Sequence, residues 1–196
     1  MISVYSQKAN EMWCAVAIEG EKIWTTAFAK TEKEAVKQIL ETLPYRKQFQ
    51  SVEKPSELAQ KVFDAMRSTL DGEKTSFDFQ FEQSHLSKYA QKVLGCLTHV
   101  PLGYITTYKA LADTAGGGPR AVGQIMASNP FSPLVPCHRV VKSDFSVGGY
   151  GRSITTGSRV KKLFLQREDR GFKEPSQIKT ECGTLKVFPV GFLKKN

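Results

Sequence analysis

Residues 134–141 read Leu-Val-Pro-Cys-His-Arg-Val-Val, and this segment constrains the fold of the chain more than any other. Pro136 has a fixed φ and no amide donor, which suits the start of a short, stiff segment. The two valines at its end are β-branched and predict the end of a buried strand. We therefore expect Cys137 on a rigid, extended element, with the side chains of Cys137 and His138 pointing to opposite faces.

The adjacent cysteine and histidine allow two interpretations. A thiol becomes a good nucleophile when its surroundings stabilise the thiolate, and a histidine oriented by an acid can take the thiol proton through a bridging water. The alternative is a structural cysteine beside an unrelated histidine, because a cysteine without a partner is often plain core. The pair alone leaves both interpretations open.

Five ordered motifs resemble the signatures of the O6-alkylguanine-DNA alkyltransferase family. They are Thr-Thr-Tyr at 106–108, Pro-Arg-Ala-Val-Gly at 119–123, Asn-Pro at 129–130, Pro-Cys-His-Arg-Val-Val at 136–141 and Val-Gly-Gly-Tyr at 147–150. In addition, Lys161 and Glu168 fall where the family carries a lysine and a glutamate on its last helix. The resemblance covers about residues 86–171.

The resemblance implies direct-reversal repair of DNA. The alkyl group of O6-alkylguanine, with O4-alkylthymine as a secondary substrate, would pass irreversibly and once per molecule to Cys137. His138 would act as the base, Glu168 would orient His138, and Asn129 would brace the turn around the active segment. The resemblance implies no cofactor, and the expected partner is double-stranded DNA that contains alkylated guanine.

The same resemblance assigns residues to the handling of the damaged base. Tyr108 would crowd the phosphate beside the target and hydrogen-bond the flipped guanine, and Arg120 would fill the gap left in the base stack. Without the resemblance, Tyr108 is equally a half-buried core residue and Arg120 a phosphate contact. In the pocket, Val140 would offer its carbonyl, Tyr150 would form a wall and Gly151 would offer a backbone donor.

Further contacts to DNA are expected around these residues. The candidates share positions on or near the predicted DNA-binding helices and the active segment; they are Lys109, Ala121, Gly123 and Ser143.

Many relatives have serine where this chain has Gly151, and the loop that follows, at 152–156, is longer than usual.

A helix that begins near Thr107, a tight glycine turn and a second helix that Pro119 opens predict a helix-turn-helix. Thr107 suits the N-cap of the first helix, the turn contains three glycines at 116–118, and Pro119 suits the first turn of the second helix. Ala121 and Gly123 are small and would face outward, which favours close approach to DNA without base readout. The alternatives are a floppy triple-glycine loop and tight packing between helices.

Charge is distributed unevenly along the chain. Residues 1–85 contain 11 Lys and Arg against 13 Asp and Glu, whereas residues 86–196 contain 17 against 6. A basic half is the expected footprint of a nucleic-acid partner. The alternative on charge alone is a solvated basic surface.

The cysteines form no Cys-x-x-Cys pair; they are Cys14, Cys96, Cys137 and Cys182. The N-terminal half offers only Cys14 and His85 as soft ligands, so we expect no metal site. No stretch approaches the ~20 apolar residues of a membrane span, and a secretory signal is not recognisable. We therefore expect a cytoplasmic protein with free thiols, in which Cys96 is structural and Cys182 incidental. We also expect the protein to be a monomer.

Hydrophobic patterning divides the chain into three parts. Residues 1–83 predict an α/β domain with a hairpin at 11–30, helices beginning at Thr31 and spanning 57–70, and a strand at 77–81; the resemblance implies a ribonuclease H-like fold here. Residues 84–172 predict a mainly α domain, which contains the helix-turn-helix and ends in a helix at 158–167. Residues 173–196 form an extension with a strand at 183–189.

That last helix is expected to bury an apolar face and to end at Glu168. The apolar face would consist of Val160, Leu163 and Phe164.

Two other functions remain compatible with parts of the sequence. A helix-turn-helix protein could recognise alkylated DNA without repairing it, but proteins of that kind replace the cysteine, and Cys137 is present. A cysteine hydrolase could use Cys137, His138 and Glu168, but such enzymes bring cysteine and histidine from distant segments.

Overall fold

A computed structural model describes residues 1–45, 47–75, 78–151 and 155–194 of the chain. These residues form two compact units. The first consists of Met1–His85 and Pro130–Leu134, and the second of Leu86–Asn129 and Val135–Asn196. Residues 173–196, expected as a separate extension, are part of the second unit. Within the described residues, no helix combines the length and the apolar character that crossing a membrane requires.

The first unit is built on a five-stranded sheet with the order β4-β1-β2-β3-β5. Its strands are β1 (Ile2–Ala9), β2 (Met12–Glu19), β3 (Lys22–Ala29), β4 (Phe49–Ser51) and β5 (Gln80–Phe81). The predicted hairpin is confirmed as β2 and β3, which pair antiparallel. Strand β1 pairs antiparallel with β2, and the two short edge strands pair in parallel with β1 and β3. The strand predicted at 77–81 is limited to β5, and Phe77 lies outside the described residues.

Two helices cover this sheet, and both were predicted. Helix α1 (Glu32–Thr42) begins after Thr31, whose side chain accepts from the Glu34 amide, and buries Ala35 and Ile39. Helix α2 (Glu57–Leu70) has the predicted bounds and packs on β1 and β2. Because α1 packs against alanines of β2 while α2 contacts the same strand, residues 14–18 of β2 are buried without interruption.

The described residues of the second unit include four α-helices. They are α3 (Lys88–Thr98), α4 (Tyr108–Ala115), α5 (Pro119–Ala127) and α6 (Thr155–Glu168). Ser87 and Thr107 cap α3 and α4 by accepting from backbone amides, as their positions predict. Pro119 occupies the first turn of α5, where its missing amide proton costs nothing.

The glycine turn between α4 and α5 is tightly specified. Gly116 and Gly117 have φ angles of +82° and +106°, which L side chains rarely adopt. A Cβ at Gly117 would lie 2.5 Å from the hydroxyl of Tyr89. The turn is therefore packed against α3, and the alternative of a floppy triple-glycine loop does not hold.

A four-stranded sheet completes the second unit, with the order β7-β6-β9-β8. Its strands are β6 (Tyr104–Thr107), β7 (Val140–Val141), β8 (Ser176–Thr180) and β9 (Gly183–Pro189). The strand predicted at 183–189 is confirmed as β9. Helices dominate residues 84–172, as expected, but the sheet that joins β6 and β7 to β9 was not predicted. Strands this short, paired across about 80 residues of sequence, leave little local signal.

A disulfide joins Cys96 to Cys182, so the expectation that all four thiols are free is wrong. Cys96 lies on α3, and Cys182 lies in the turn between β8 and β9. The sheet brings these two residues together, which spacing alone cannot reveal. Cys14 and Cys137 are in no disulfide, and burial raises the pKa of the Cys14 thiol to about 12.

Candidate active site

Residues Cys137–Arg139 form a single 3-10 turn, not the extended segment that the sequence predicts. Pro136 cannot donate a hydrogen bond, and its ψ of 65° turns the chain. The amide of Cys137 donates to the carbonyl of Val135 (2.8 Å), and the amide of Arg139 donates to that of Pro136 (2.9 Å). The predicted strand at 140–141 is confirmed as β7, which pairs in parallel with β6.

Asn129 supports the approach to this turn. Its side-chain amide donates to the carbonyl of Val135 at 2.9 Å. Because Val135 also accepts from the amide of Cys137, the asparagine is linked to the cysteine through one carbonyl group.

Behind the turn, Glu168 binds the two residues that follow Cys137, which are His138 and Arg139. Its Oε1 atom lies 2.9 Å from Nε2 of His138, and the Arg139 guanidinium donates to both carboxylate oxygens at 2.8 Å. A third nitrogen of Arg139 donates to the carbonyl of Val100 at 2.6 Å. His138 and Glu168 are fully buried, so α6 fixes the imidazole from the side opposite to solvent.

These contacts define the protonation states. Burial opposes the charge of Glu168, but His138 and Arg139 outweigh burial and lower the pKa of the carboxyl to about 2. Burial lowers the pKa of His138 below its usual value, against the opposing effect of the Glu168 carboxylate. A carboxylate can only accept, so a neutral His138 places its proton on Nε2. The Nδ1 atom, which no group among the described residues hydrogen-bonds, is then the basic nitrogen.

Lys161 is fully buried. In the sequence, only the family resemblance drew attention to this residue. Its Nζ atom donates to the carbonyls of Val140 (2.5 Å) and Gly149 (3.2 Å) and lies 3.4 Å from the hydroxyl of Tyr108. Burial lowers the pKa of Lys161 to about 8, against the effect of a Cys137 thiolate. Burial and the Cys137 charge together raise the pKa of Tyr108 to about 12. An ammonium close to Cys137 favours the thiolate over the thiol.

The buried face of α6 differs from the predicted one. Leu163 is 44% exposed, so its assignment to the apolar face is wrong. The side chains that share the buried face are Lys161, Phe164, Leu165 and Glu168. Their spacing of three, four and seven residues is that of one helix face and could have identified it. Because Lys161 and Glu168 are charged, the pattern instead predicted that this face points to solvent.

Cys137 lies in the wall of a cavity of about 200 Å³. The lining residues come from α4, α5, the cysteine turn and the segment before α6; they are Tyr108, Gly123, Met126, Ala127, Cys137, Gly149, Tyr150 and Gly151. Met126 and Ala127 were not expected there. At Gly157 a Cβ would collide with the carbonyl of Tyr150, so the helix start lies directly against the segment that forms the wall.

Comparison with known proteins agrees with this geometry. The family model for the DNA-binding domain of 6-O-methylguanine DNA methyltransferase matches residues 88–170. The methylated-DNA–protein-cysteine methyltransferase of Methanothermobacter thermautotrophicus is 33% identical over 123 residues, which cover 62% of this chain and 68% of the relative. The chain belongs to the methylated-DNA–protein-cysteine methyltransferase family.

Two further relatives extend the comparison. The methylated-DNA–protein-cysteine methyltransferase of Pyrobaculum aerophilum is 54% identical over 72 residues, which cover 37% of this chain but only 46% of that protein. The crystal structure of O6-methylguanine-DNA methyltransferase from the hyperthermophilic archaeon Pyrococcus kodakaraensis superposes with a TM-score of 0.62 at 28% identity. That alignment covers 84% of this chain and 99% of the other. The mixed α/β fold in two units is therefore that of the methyltransferase family.

The residues that the family resemblance singles out fall into two groups in space. One group lines the cavity or supports it from behind, and this group contains Tyr108, Gly123, Asn129, Cys137, His138, Val140, Tyr150, Gly151 and Glu168. Val140 differs in one respect from the role expected of it in a methyltransferase. Its carbonyl already accepts from Lys161, which leaves one lone pair for a base.

The second group lies outside the cavity lining. Arg120, Lys109 and Ser143 are exposed, and Ala121 is half-buried. Lys109 donates to Asp113 at 2.8 Å, so its charge is paired along α4. The long loop expected after Tyr150 falls at residues 152–154 and beyond, and 152–154 lie outside the described residues.

Other places in the molecule carry less chemistry. A depression of about 350 Å³ in the first unit is lined by residues that include Glu57 and Lys61, which pair with each other at 2.6 Å, and its lining contains no cysteine or histidine. No cluster of three or more His, Cys, Asp or Glu side chains suited to a metal occurs among the described residues. The cavity beside Cys137 is therefore the candidate active site.

Proposed function

We propose that this protein repairs DNA by transferring the alkyl group of O6-alkylguanine to its own Cys137. One observation carries the proposal: Cys137 lies in the cavity wall, while Glu168 holds the neighbouring His138 with its basic nitrogen free of protein partners among the described residues. Lys161 adds a positive charge close to the sulfur. Together these groups prepare a thiolate at neutral pH.

The reaction follows from the charges. The thiol proton passes to Nδ1 of His138, directly or through water, and the Glu168 carboxylate stabilises the imidazolium that forms. The Sγ thiolate attacks the alkyl carbon in line, the carbon–oxygen bond breaks, and its electron pair leaves with guanine. Tyr108, Tyr150 and Gly151 line the cavity, and the Tyr108 hydroxyl and the backbone amides at 150–151 would stabilise that anion. The thioether product has no route back to a thiol, so each molecule acts once.

The size and depth of the cavity favour a flipped base. Cys137 is only 3% exposed, and a base stacked inside a duplex cannot bring its O6 substituent to such an atom. The cavity of about 200 Å³ is below the roughly 300–1,000 Å³ of drug-sized ligand sites, as befits a single base. We propose that guanine fills it and that O4-alkylthymine, a smaller base, is a poorer substrate.

For DNA binding we propose a helix-turn-helix formed by α4 and α5. A Cβ at Gly123 would meet no atom within 4 Å, so packing inside the protein does not require a glycine there. Tight packing between helices is therefore a poor explanation for a glycine at position 123. Close approach of DNA to this helix accounts for the small residue. Arg120 is exposed at the start of the same helix and suited to enter the base stack.

Other parts of the proposal concern the setting. We propose a ribonuclease H-like first unit, supported by its antiparallel β1-β2-β3 arrangement beneath helices. We also propose a monomer that acts on DNA in the cytoplasm, with no cofactor. The Cys96–Cys182 disulfide does not exclude the cytoplasm, because intracellular proteins of hyperthermophiles are rich in disulfides.

The proposal is tested by titrating a duplex containing O6-methylguanine with the purified protein. We expect repaired guanine to reach one equivalent per protein molecule and to stop there, and Cys137→Ser to produce none. Repeated turnover would contradict the single-use mechanism. Tight binding without repair would instead identify a lesion-recognition protein.

A further inference from the structure

Residues 188–194, called the chain end below, lie against the turn that follows β7. The ring of Phe145, in this turn, contacts the rings of Phe188 (centroids 5.1 Å apart) and Phe192 (5.8 Å apart) edge to face. The amide of Lys194 donates to the carbonyl of Phe145 at 3.1 Å. Residues 188–194 lie beyond the part of the chain that the methyltransferase family model matches, which ends at 170.

Phe145 has a backbone conformation that needs outside support. Its φ is +61°, in the left-handed region that bulky residues rarely occupy. Such a conformation is energetically unfavourable and persists only where surrounding contacts fix it. Within the turn, the Phe145 amide donates to Lys142, and the Lys142 amide donates to the carbonyl of Ser146. The Phe145 ring also packs against the core cluster of Ile105, Val141, Leu165 and Val190. Its aromatic contacts and the donor to its carbonyl come from residues 188–194.

The turn connects two segments that build the cavity. It begins after β7 and leads to residues 147–150, of which Gly149 and Tyr150 line the cavity. Lys161 bridges the turn, because it donates both to Val140 before it and to Gly149 after it. The shape of the turn therefore determines where Gly149 and Tyr150 lie relative to Cys137.

We propose that Phe192 is a positioning residue for alkyl transfer. It fixes the turn at 142–146 by packing on Phe145, and the turn fixes the cavity wall at Gly149 and Tyr150. This inference rests on the proposed function of Cys137. The exposed ion pair between Lys194 and Asp144 (3.0 Å) joins the same two segments but contributes little in solvent, so the ring carries the effect.

The test uses Phe192→Ala in the full chain, with single-turnover transfer measured over a range of DNA concentrations well below the melting temperature. A cavity wall displaced by a fraction of an ångström slows an in-line attack without changing the DNA-binding helices. We expect the maximal rate to fall about tenfold and the apparent affinity for the duplex to stay within about twofold. Phe192→Tyr keeps the ring and should restore most of the rate.

Phe172→Ala provides the matched control. Phe172 is 43% exposed against 39% for Phe192, but its ring stacks on Tyr104 of β6 at 5.0 Å. We expect the control to keep the wild-type maximal rate even if its melting temperature falls. It therefore separates a loss of stability from a loss of positioning.

Two results would overturn the inference while leaving the proposed function intact. In one, Phe192→Ala melts earlier but transfers at the wild-type maximal rate, which means that the ring only stabilises the fold. In the other, only the affinity for the duplex falls, which means that the chain end contacts DNA. Failure of the wild-type protein to transfer any alkyl group would overturn the proposed function itself.

Discussion

Nε2 of His138 lies 2.9 Å from Oε1 of Glu168, although 30 residues separate them in sequence. Both side chains are fully buried, and Arg139 holds the same carboxylate from a second direction. The carboxylate thereby selects which imidazole nitrogen carries the proton. Cys137, His138 and Arg139 are consecutive residues of one turn, and the last two share the same carboxylate.

Replacing the carboxylate with an amide tests that arrangement. Glu168→Gln removes the charge that stabilises the imidazolium, so we expect the maximal rate of alkyl transfer to fall about 100-fold. The free energy of unfolding should fall by about 3 kcal/mol, because Arg139 loses its buried partner. Rates from single-turnover kinetics and stability from urea unfolding provide the two readings.

Glu174→Gln is the control for this change, because Glu174 is an exposed acid in the same unit. It should leave both quantities unchanged. A Glu168→Gln protein with wild-type rate would show that the histidine needs no oriented carboxylate.

Lys161 predicts opposite pH dependences for rate and stability. Its pKa in the folded protein is lowered from the ordinary 10.5 to about 8. Above pH 8 the ammonium near Cys137 is lost, so this group should make transfer slower as the pH rises. Between pH 8 and 10.5 the unfolded state binds more protons at this residue, so its contribution to the free energy of unfolding should increase with pH.

Lys161→Met should abolish both trends, and at pH 7 it should slow transfer at least about tenfold. Lys162→Met, on the next position of α6, is the matched control and should retain both. The measurements are pH–rate profiles and denaturant titrations of the three proteins. If the wild-type rate does not fall at alkaline pH, or falls equally in Lys161→Met, the ammonium has no role in transfer.

Much of the fold follows from local sequence, but the second sheet does not. Helix α2 was predicted with its observed bounds because its apolar side chains recur at helical spacing over 14 residues, and Ser56 caps its start. Strands β6 and β9 depend on each other across the chain, so neither has a local pattern long enough to predict the pair.

The active site was predicted unevenly for a similar reason. Family motifs identify Cys137, His138 and Glu168, but the support given by Arg139 and Lys161 depends on which face of α6 is buried. Two charged residues on a buried face contradict the usual pattern. Only the packed structure shows that their partners are backbone carbonyls and a histidine.

The disulfide gives a prediction about stability. Cys96 and Cys182 are 86 residues apart in sequence, so their bond restricts a long loop of the unfolded chain. We expect the Cys96→Ser, Cys182→Ser double variant to lose about 2–4 kcal/mol of unfolding free energy. Reductant should lower the melting temperature of the wild-type protein and leave that of the variant unchanged.

Counting thiols gives an independent check of the same bond. In denaturant without reductant, two thiols should react, those of Cys14 and Cys137. Four reactive thiols in freshly purified, unreduced protein would contradict the disulfide.

Gly123 and Gly95 form a matched pair for testing the DNA-binding face. Both are helical glycines at which a Cβ would meet nothing within 4 Å, so each change to alanine should stabilise the protein by about 0.5–1 kcal/mol. Only Gly123→Ala should weaken duplex binding, because only Gly123 belongs to the proposed helix-turn-helix. Fluorescence anisotropy with a labelled duplex measures this. Equal affinities for both variants would place the DNA on a different surface.

The most direct test of the central claim is the intact mass of the protein after incubation with a duplex containing O6-methylguanine, followed by peptide mapping. We predict a single increment equal to one CH₂ group, located on Cys137 and absent from Cys137→Ala. An unchanged mass after the lesion has been bound, or an increment on any other residue, would contradict alkyl transfer to Cys137.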